Sequence, residues 1–252
     1  MTRRRWIADE VSGNTAALVG SHAAHLARVL RAEIGQEFDI ATGDAVRRGR
    51  IVSISNSDSN SKARVEFALG EVAALKPAPE VTLALAIFKF DRMEWAIEKC
   101  TEIGVARIIP IIARRTEAHL AAAAMKRSER WQRIALQASE QSRRAAPPEI
   151  ATPVTLKDLG SAGAPPAAQP QTGTTNCRIV LAESEGNTHL RDVLRPQLPW
   201  VVLAIGPEGG WTAEELQWFR DSEWIAASLG DTILRAETAA IVATALALDS
   251  LR

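Results

Sequence analysis

VVLAIGPEGGWTAEE, residues Val201 to Glu215, is the stretch from which the fold is read. Val201 to Ile205 is β-branched and apolar and predicts a strand. Gly206, Gly209 and Gly210 free the backbone of a Cβ, while Pro207 fixes φ between them. Thr212, followed three residues later by Glu215, forms a capping box that opens a helix. This order leaves bare N–H and C=O groups at the carboxyl end of a strand, where open α/β sheets bind their ligands. A second stretch, SLGDTILRAETAA from Ser228 to Ala240, has the same plan and adds Arg235 and Glu237 at a helix entrance. One such turn reads as a tight connection. Two in step point to a site.

Working outward, the residues beyond Leu75-Lys76-Pro77-Ala78-Pro79-Glu80 alternate strand and helix. Val81 to Phe88, Arg107 to Ile112, Ile179 to Ala182, Trp200 to Ile205 and Ile225 to Leu229 read as five strands. Helices are predicted after Asp91, which with Glu94 offers a capping box closed by Gly104. Others are predicted over 128–144, near 189–194, over 212–221 and over 237–251. Apolar strands between amphipathic helices imply α/β architecture with a parallel sheet covered on both faces. Before the proline-containing linker at 75–80 the pattern differs. There is a short strand at 6–8, a helix capped by Ser21 and ended by Gly35, and three alternating strands at 37–42, 47–54 and 62–69, which together suggest a small β-barrel. The expected domains are therefore 1–75 and 76–252. Within the second, 161–176 (SAGAPPAAQPQTGTTN) is too poor in apolar residues to order itself and is expected to be a mobile loop.

Several functions are disfavoured. GPEGG is neither GxGxxG nor GxxxxGK[ST] and has no phosphate-binding Lys, which argues against nucleoside triphosphates and standard dinucleotides. Cys100 and Cys177 form no CxxC, which fits a reducing compartment without disulfides. The histidines at 22, 25, 119 and 189 give no metal-ligand pattern, so no metal is expected. In MTRRRWIADE, Asp9 and Glu10 interrupt the basic start before any apolar core of a leader, and no later run nears the ~20 residues of a membrane span. The reading is cytoplasmic. The chain has 252 residues and a net charge of zero, but residues 76–150 carry thirteen basic against nine acidic side chains. Local basic surface of this kind suits a polyanion such as RNA.

The motifs IGPEGGWTAEE, LGDTILRAETA, KFDRMEWAIEKCTEIGV, RWQRIALQASEQSRR and HAAHLARVLRAEIGQEFDI together resemble the bacterial 16S ribosomal RNA uridine-N3 methyltransferases of the RsmE type, in the SPOUT superfamily. The resemblance runs in order across nearly the whole chain. It implies an N-terminal PUA-like β-barrel that binds RNA, a C-terminal SPOUT methyltransferase domain with a trefoil knot, and a homodimer. The implied methyl donor is S-adenosylmethionine, and the implied substrate is 16S rRNA or the assembled small subunit. The family's cofactor loops fall on Leu181 and Glu183, on Ile205, Gly206, Pro207, Glu208, Gly209 and Gly210, and on Leu229, Gly230, Ile233 and Leu234.

Arg235 and Glu237 are assigned beside the transferred methyl group, Glu237 reading also as a first-turn staple of its helix. Candidate RNA contacts are Arg3, Arg4, Arg5, Arg28, Arg31, Arg114, Arg115, Arg143 and Arg144, with Glu140 and Gln141 close behind the site. Two departures stand out: the family's EQSGR is EQSRR here, placing Arg143 at a glycine position, and KGDR is KFDR, placing Phe90 at another. The competing readings are a non-catalytic RNA-binding dimer and a SPOUT methyltransferase acting on a different RNA position.

Overall fold

The computed structural model describes residues 5–43, 45–55, 62–73, 80–159, 177–196, 198 and 200–251. Arg3, Arg4, the expected loop at 161–176 and most of the linker at 75–80 lie outside the described residues. The chain divides into two compact units, Met1–Pro77 with Ser139–Ala146, and Ala78–Ala138 with Pro147–Arg252.

The first unit is a six-stranded sheet in the order β1-β4-β5-β6-β3-β2. Its strands are β1 (Arg5–Ile7), β2 (Glu10–Ser12), β3 (Thr15–Val19), β4 (Glu37–Ala41), β5 (Val46–Ser55) and β6 (Arg64–Ala73). The two edge strands are consecutive pieces of one stretch. Ala8 N–H donates to the Ala41 carbonyl at one edge and Asp9 N–H to the Ala17 carbonyl at the other, so this stretch curls the sheet into a half-barrel. Trp6, Leu18, Leu26, Ile40, Ile51, Val65 and Phe67 fill its interior. Gly49 faces that interior, and an added Cβ would collide with the Ile40 side chain.

The helix expected from Ser21 to Gly35 is shorter than its pattern suggested. Helix α1 (Gly20–Ala24) continues as a π-helical turn over His25–Val29, and its N-cap, Val19, makes no side-chain hydrogen bond. Arg31 at φ 50 then turns the chain out of helix, leaving Ile34 exposed. The hairpin β2–β3 was not expected at all. Its strands are three and five residues long, too short to give a clear alternation.

The second unit is a seven-stranded sheet whose pairings are all parallel, in the order β10-β8-β7-β12-β11-β13, with β9 also on β8. Its strands are β7 (Glu80–Ala86), β8 (Arg107–Ile112), β9 (Glu149–Ile150), β10 (Val154–Thr155), β11 (Cys177–Leu181), β12 (Trp200–Ile205) and β13 (Ile225–Ala227). Apolar side chains occupy both faces, as a doubly covered parallel sheet requires. Val81, Leu83, Leu85, Val201, Leu203 and Ile205 share one core with helices α2 (Phe90–Ile103), α3 (Ala118–Ser142) and α6 (Ala236–Ser250). Ala84, Ala86, Val202 and Ala204 share the other with Phe219 of α5 (Ala213–Asp221) and with Trp211 and Trp224. A short helix α4 (Leu190–Val193) lies between β11 and β12.

The box expected at Asp91 and Glu94 does not form. Helix α2 begins two residues earlier, after Lys89, without a side-chain cap, and Glu94 instead receives Arg130 at 2.6 and 2.7 Å. Gly104 does close that helix, at φ 123. Phe90 packs edge-on against buried Trp131, with the Arg127 guanidinium 4.7 Å above its ring, so the departure from KGDR adds an aromatic contact.

Candidate active site

Strands β12, β11 and β13 lie side by side in parallel, so the segments following their carboxyl ends emerge together. These segments, 182–184, 206–210 and 228–235, surround a cavity of about 550 Å³. Leu181, Glu183, Ile205, Gly206, Pro207, Glu208, Gly209, Gly210, Leu229, Gly230, Ile233 and Leu234, the twelve positions assigned to cofactor loops, all line it. Arg235 is on the wall as well. Glu237 is not among the lining residues and sits buried, with 6 % of its side chain exposed, in the first turn of α6.

The first loop is held from several sides. Gly210 N–H closes a turn on the Pro207 carbonyl at 2.8 Å, with Gly210 in the left-handed region at φ 69. The Trp211 indole donates to the Leu181 carbonyl at 3.1 Å, which fixes the loop after β12 to the end of β11. A Cβ on Gly206 would sit 3.2 Å from that indole nitrogen, so glycine lets ring and backbone approach. The capping box read from the sequence is present. Thr212 Oγ1 accepts from Glu215 N–H at 3.2 Å and Glu215 Oε2 from Thr212 N–H at 2.8 Å. The other Glu215 oxygen accepts from the Arg114 amide at 2.7 Å, extending the box to the turn after β8. The Arg115 guanidinium donates to the Gly209 carbonyl, so this residue, assigned to RNA from the sequence, braces the cavity loop.

The second loop leaves β13 through Ser228, whose amide and carbonyl are bonded to Thr188 and Leu190, and turns at Gly230, φ 130. Arg235 is the N-cap of α6 with an extended backbone, which presents its side chain at the cavity rather than along the helix. Arg92 was missed in the sequence, although it is the Arg of KFDR. It lines the cavity, donates to Glu208 Oε1 at 2.7 Å and lies 3.8 Å from Glu237 Oε1. Trp211 both packs against Phe219 and forms part of the wall.

In the first unit, Arg28 and Arg31 are exposed. Arg5 donates to the Arg143 carbonyl. Arg143 is exposed at φ 61, a conformation that favours glycine. Arg144 is half-buried, and burial pulls its pKa down to about 10. His22 sits between Asp9 (3.2 Å) and Glu140 (3.5 Å). The hydrogen bond to Asp9 raises its pKa above the ordinary value, assisted by the Glu140 charge, and burial raises that of Glu140. Among the described residues no cluster of His, Cys, Asp and Glu could hold a metal ion. No described helix is long and apolar enough to cross a membrane.

The cavity suits an adenosine-bearing sulfonium. Leu181, Ile205, Leu229 and Leu234 offer apolar walls for a base, and the glycine turns bring backbone polar groups close to it. Acidic and basic side chains, Glu183, Glu208, Arg92 and Arg235, stand at hand for an amino-acid tail.

Comparison with known proteins agrees. Residues 76–248 match the model of a family described as RNA methyltransferase domain. Over 94 % of its length the chain is 33 % identical to the Ribosomal RNA small subunit methyltransferase E of Synechocystis sp. (strain ATCC 27184 / PCC 6803 / Kazusa), covering 74 % of that protein. Over 92 % of its length it is 30 % identical to the protein of the same name from Mycobacterium tuberculosis (strain CDC 1551 / Oshkosh), covering 85 %. Among solved structures, the Ribosomal RNA small subunit methyltransferase E of Neisseria gonorrhoeae bound to S-adenosyl methionine superposes with a TM-score of 0.77. It is 27 % identical, over 97 % of this chain and 96 % of that one.

Proposed function

The chain belongs to the ribosomal RNA small subunit methyltransferase E family, and from that premise we propose that it methylates N3 of a uridine in 16S rRNA, with S-adenosylmethionine as donor. The observation that carries the reading is the convergence of three loops, from the ends of three adjacent parallel strands, on one cavity that has Arg235 on its wall. When bound, S-adenosylmethionine supplies a methyl group on a positively charged sulfur. Attack by N3 forms the N–C bond as the S–C bond breaks, and the N3 proton must leave before or during attack. Arg235 is placed to hold a uracil carbonyl oxygen and stabilise the charge that develops there. Glu237, beneath the wall, serves the staple part of its expected role and fixes the helix start from which Arg235 projects.

The remaining expectations belong to the same proposal. Residues 1–75, completed by the Ser139–Ala146 segment of the same compact unit, form the RNA-binding domain, and the rest of 76–252 forms the methyltransferase domain. Arg28, Arg31 and Arg143 in the first unit and Arg114 in the second are exposed basic side chains suited to phosphates. A second copy of the chain covers α6, whose Ile241 and Val242 are half-exposed and whose Ala245 and Leu246 are exposed. The family's trefoil knot is supported by the strand order, in which β13 lies beyond β11 while α6 returns to pack on β7 and β12. The cytoplasm is the compartment that holds the substrate.

Calorimetry with S-adenosylmethionine and mass mapping of 16S rRNA, with and without the protein, test the reading. Cofactor binding together with a new methyl on a uracil N3 is expected. RNA binding without cofactor binding would leave a non-catalytic RNA-binding dimer, and a methyl elsewhere would change the target. Arg235→Ala is expected to slow single-turnover methylation steeply while cofactor binding persists, and Glu237→Gln to slow it less.

A further inference from the structure

We propose that Arg92 is a positioning residue for methyl transfer. Its guanidinium, anchored on Glu208 of the first cavity loop, supplies the counter-charge to the buried carboxylate of Glu237 and so holds in place the helix start that presents Arg235. The inference rests on the cavity being the methyl-transfer site.

Arg92 stands in the first turn of α2, and its two partners come from separate loops. The two pairs differ in environment. Glu208 keeps 33 % of its side-chain surface exposed, so its 2.7 Å bond to Arg92 is made in water and weakened by it. Glu237 keeps 6 %, and its second oxygen, Oε2, is buried with no hydrogen-bond partner. Among the described residues Arg92 is the only cation within 4 Å of that carboxylate. The positive end of α6 adds a partial charge, since Glu237 is the second residue of the helix.

A buried carboxylate stripped of its cation is strongly destabilising, and the least costly response is for the first turn of α6 to move it toward solvent. Arg235 lies two residues before Glu237 and would move with it. The fork geometry matters too, because the planar guanidinium meets both carboxylates with different nitrogens, which a single ammonium group does less well.

The test is a double-substitution cycle in the full-length protein, read by single-turnover methylation of 16S rRNA at saturating S-adenosylmethionine and by calorimetry with the cofactor. Arg92→Met is expected to slow the reaction on the order of 10²-fold, the loss associated with an ångström-scale misplacement at a catalytic centre. Arg92→Met with Glu237→Gln is expected to recover most of that loss, because a neutral amide needs no cation. If Arg92→Met fails to fold, recovery of the circular dichroism spectrum in the double variant supports the proposal in the same way. A double variant as impaired as Arg92→Met, or Arg92→Met as fast as the parent, overturns it. A parent protein that neither binds the cofactor nor methylates the RNA would instead overturn the methyl-transfer reading on which this one stands.

Discussion

The indole nitrogen of Trp211 donates to the carbonyl of Leu181 at 3.1 Å, so the loop that follows β12 is tied to the last residue of β11. Trp211→Phe keeps an aromatic ring against Phe219 but removes the donor. The variant is expected to lose about 1–3 kcal/mol of stability through the unsatisfied carbonyl. It should also bind S-adenosylmethionine roughly tenfold more weakly, equivalent to about 1.4 kcal/mol. Thermal melts and calorimetry on the same preparation measure both.

Gly230 turns the second loop at φ 130, and a Cβ there meets nothing within 4 Å. Any effect of Gly230→Ala is therefore backbone strain, about 1–3 kcal/mol, in a loop that lines the cavity. Weaker cofactor binding with a small fall in Tm is expected. Gly186→Ala also places its Cβ in open space, away from the cavity lining and without a positive φ, and should leave both unchanged. Equal behaviour of the two variants would contradict the role given to the Gly230 backbone.

Arg143 holds a left-handed conformation, φ 61, which favours glycine. Its carbonyl, which accepts from Arg5, is unaffected by the side chain. Arg143→Gly should relieve about 1 kcal/mol of strain and raise Tm. If Arg143 also touches RNA, the same variant lowers the slope of log affinity against log salt by about one unit.

His22, flanked by Asp9 and Glu140, titrates above 6.5, and Glu140 titrates above 4.5. Groups whose pKa is higher in the folded than in the unfolded chain contribute fully below the unfolded value and lose that contribution as pH rises through the folded one. For His22 the loss begins above 6.5. The melting temperature of the parent should thus decline on raising the pH through and beyond neutrality, and His22→Asn should flatten that decline. A parallel decline in both proteins would assign it to other groups.

Much of this architecture was legible in the sequence. The strands at 107–112 and 200–205, the capping box at Thr212 and the close at Gly104 were read within a residue, because apolar runs and cap chemistry are local signals. The cavity loops were placed by resemblance, and the glycines explain why they can approach one another. What escaped was non-local or weakly patterned. Helix α3 begins ten residues before its expected start, since half of 118–127 is alanine and the stretch has little amphipathic contrast. Arg92 and Glu237 are far apart in the chain, and nothing in either neighbourhood announces that they meet. The brace from Arg115 to the Gly209 carbonyl escaped too, because a sequence does not show that carbonyl beside it.

The first compact unit is not contiguous, because Ser139–Ala146 belongs to it along with Met1–Pro77. During translation, residues 1–77 therefore leave the ribosome well before the unit has all its parts. His22 waits for Glu140, and the Arg5 guanidinium waits for the Arg143 carbonyl. By then β7, β8 and most of α3 have already been synthesised. A nascent chain halted at residue 77 should accordingly be more open to protease than one halted after residue 146 has cleared the exit tunnel. Cutting the gene at the linker would separate the half-barrel from its last eight residues.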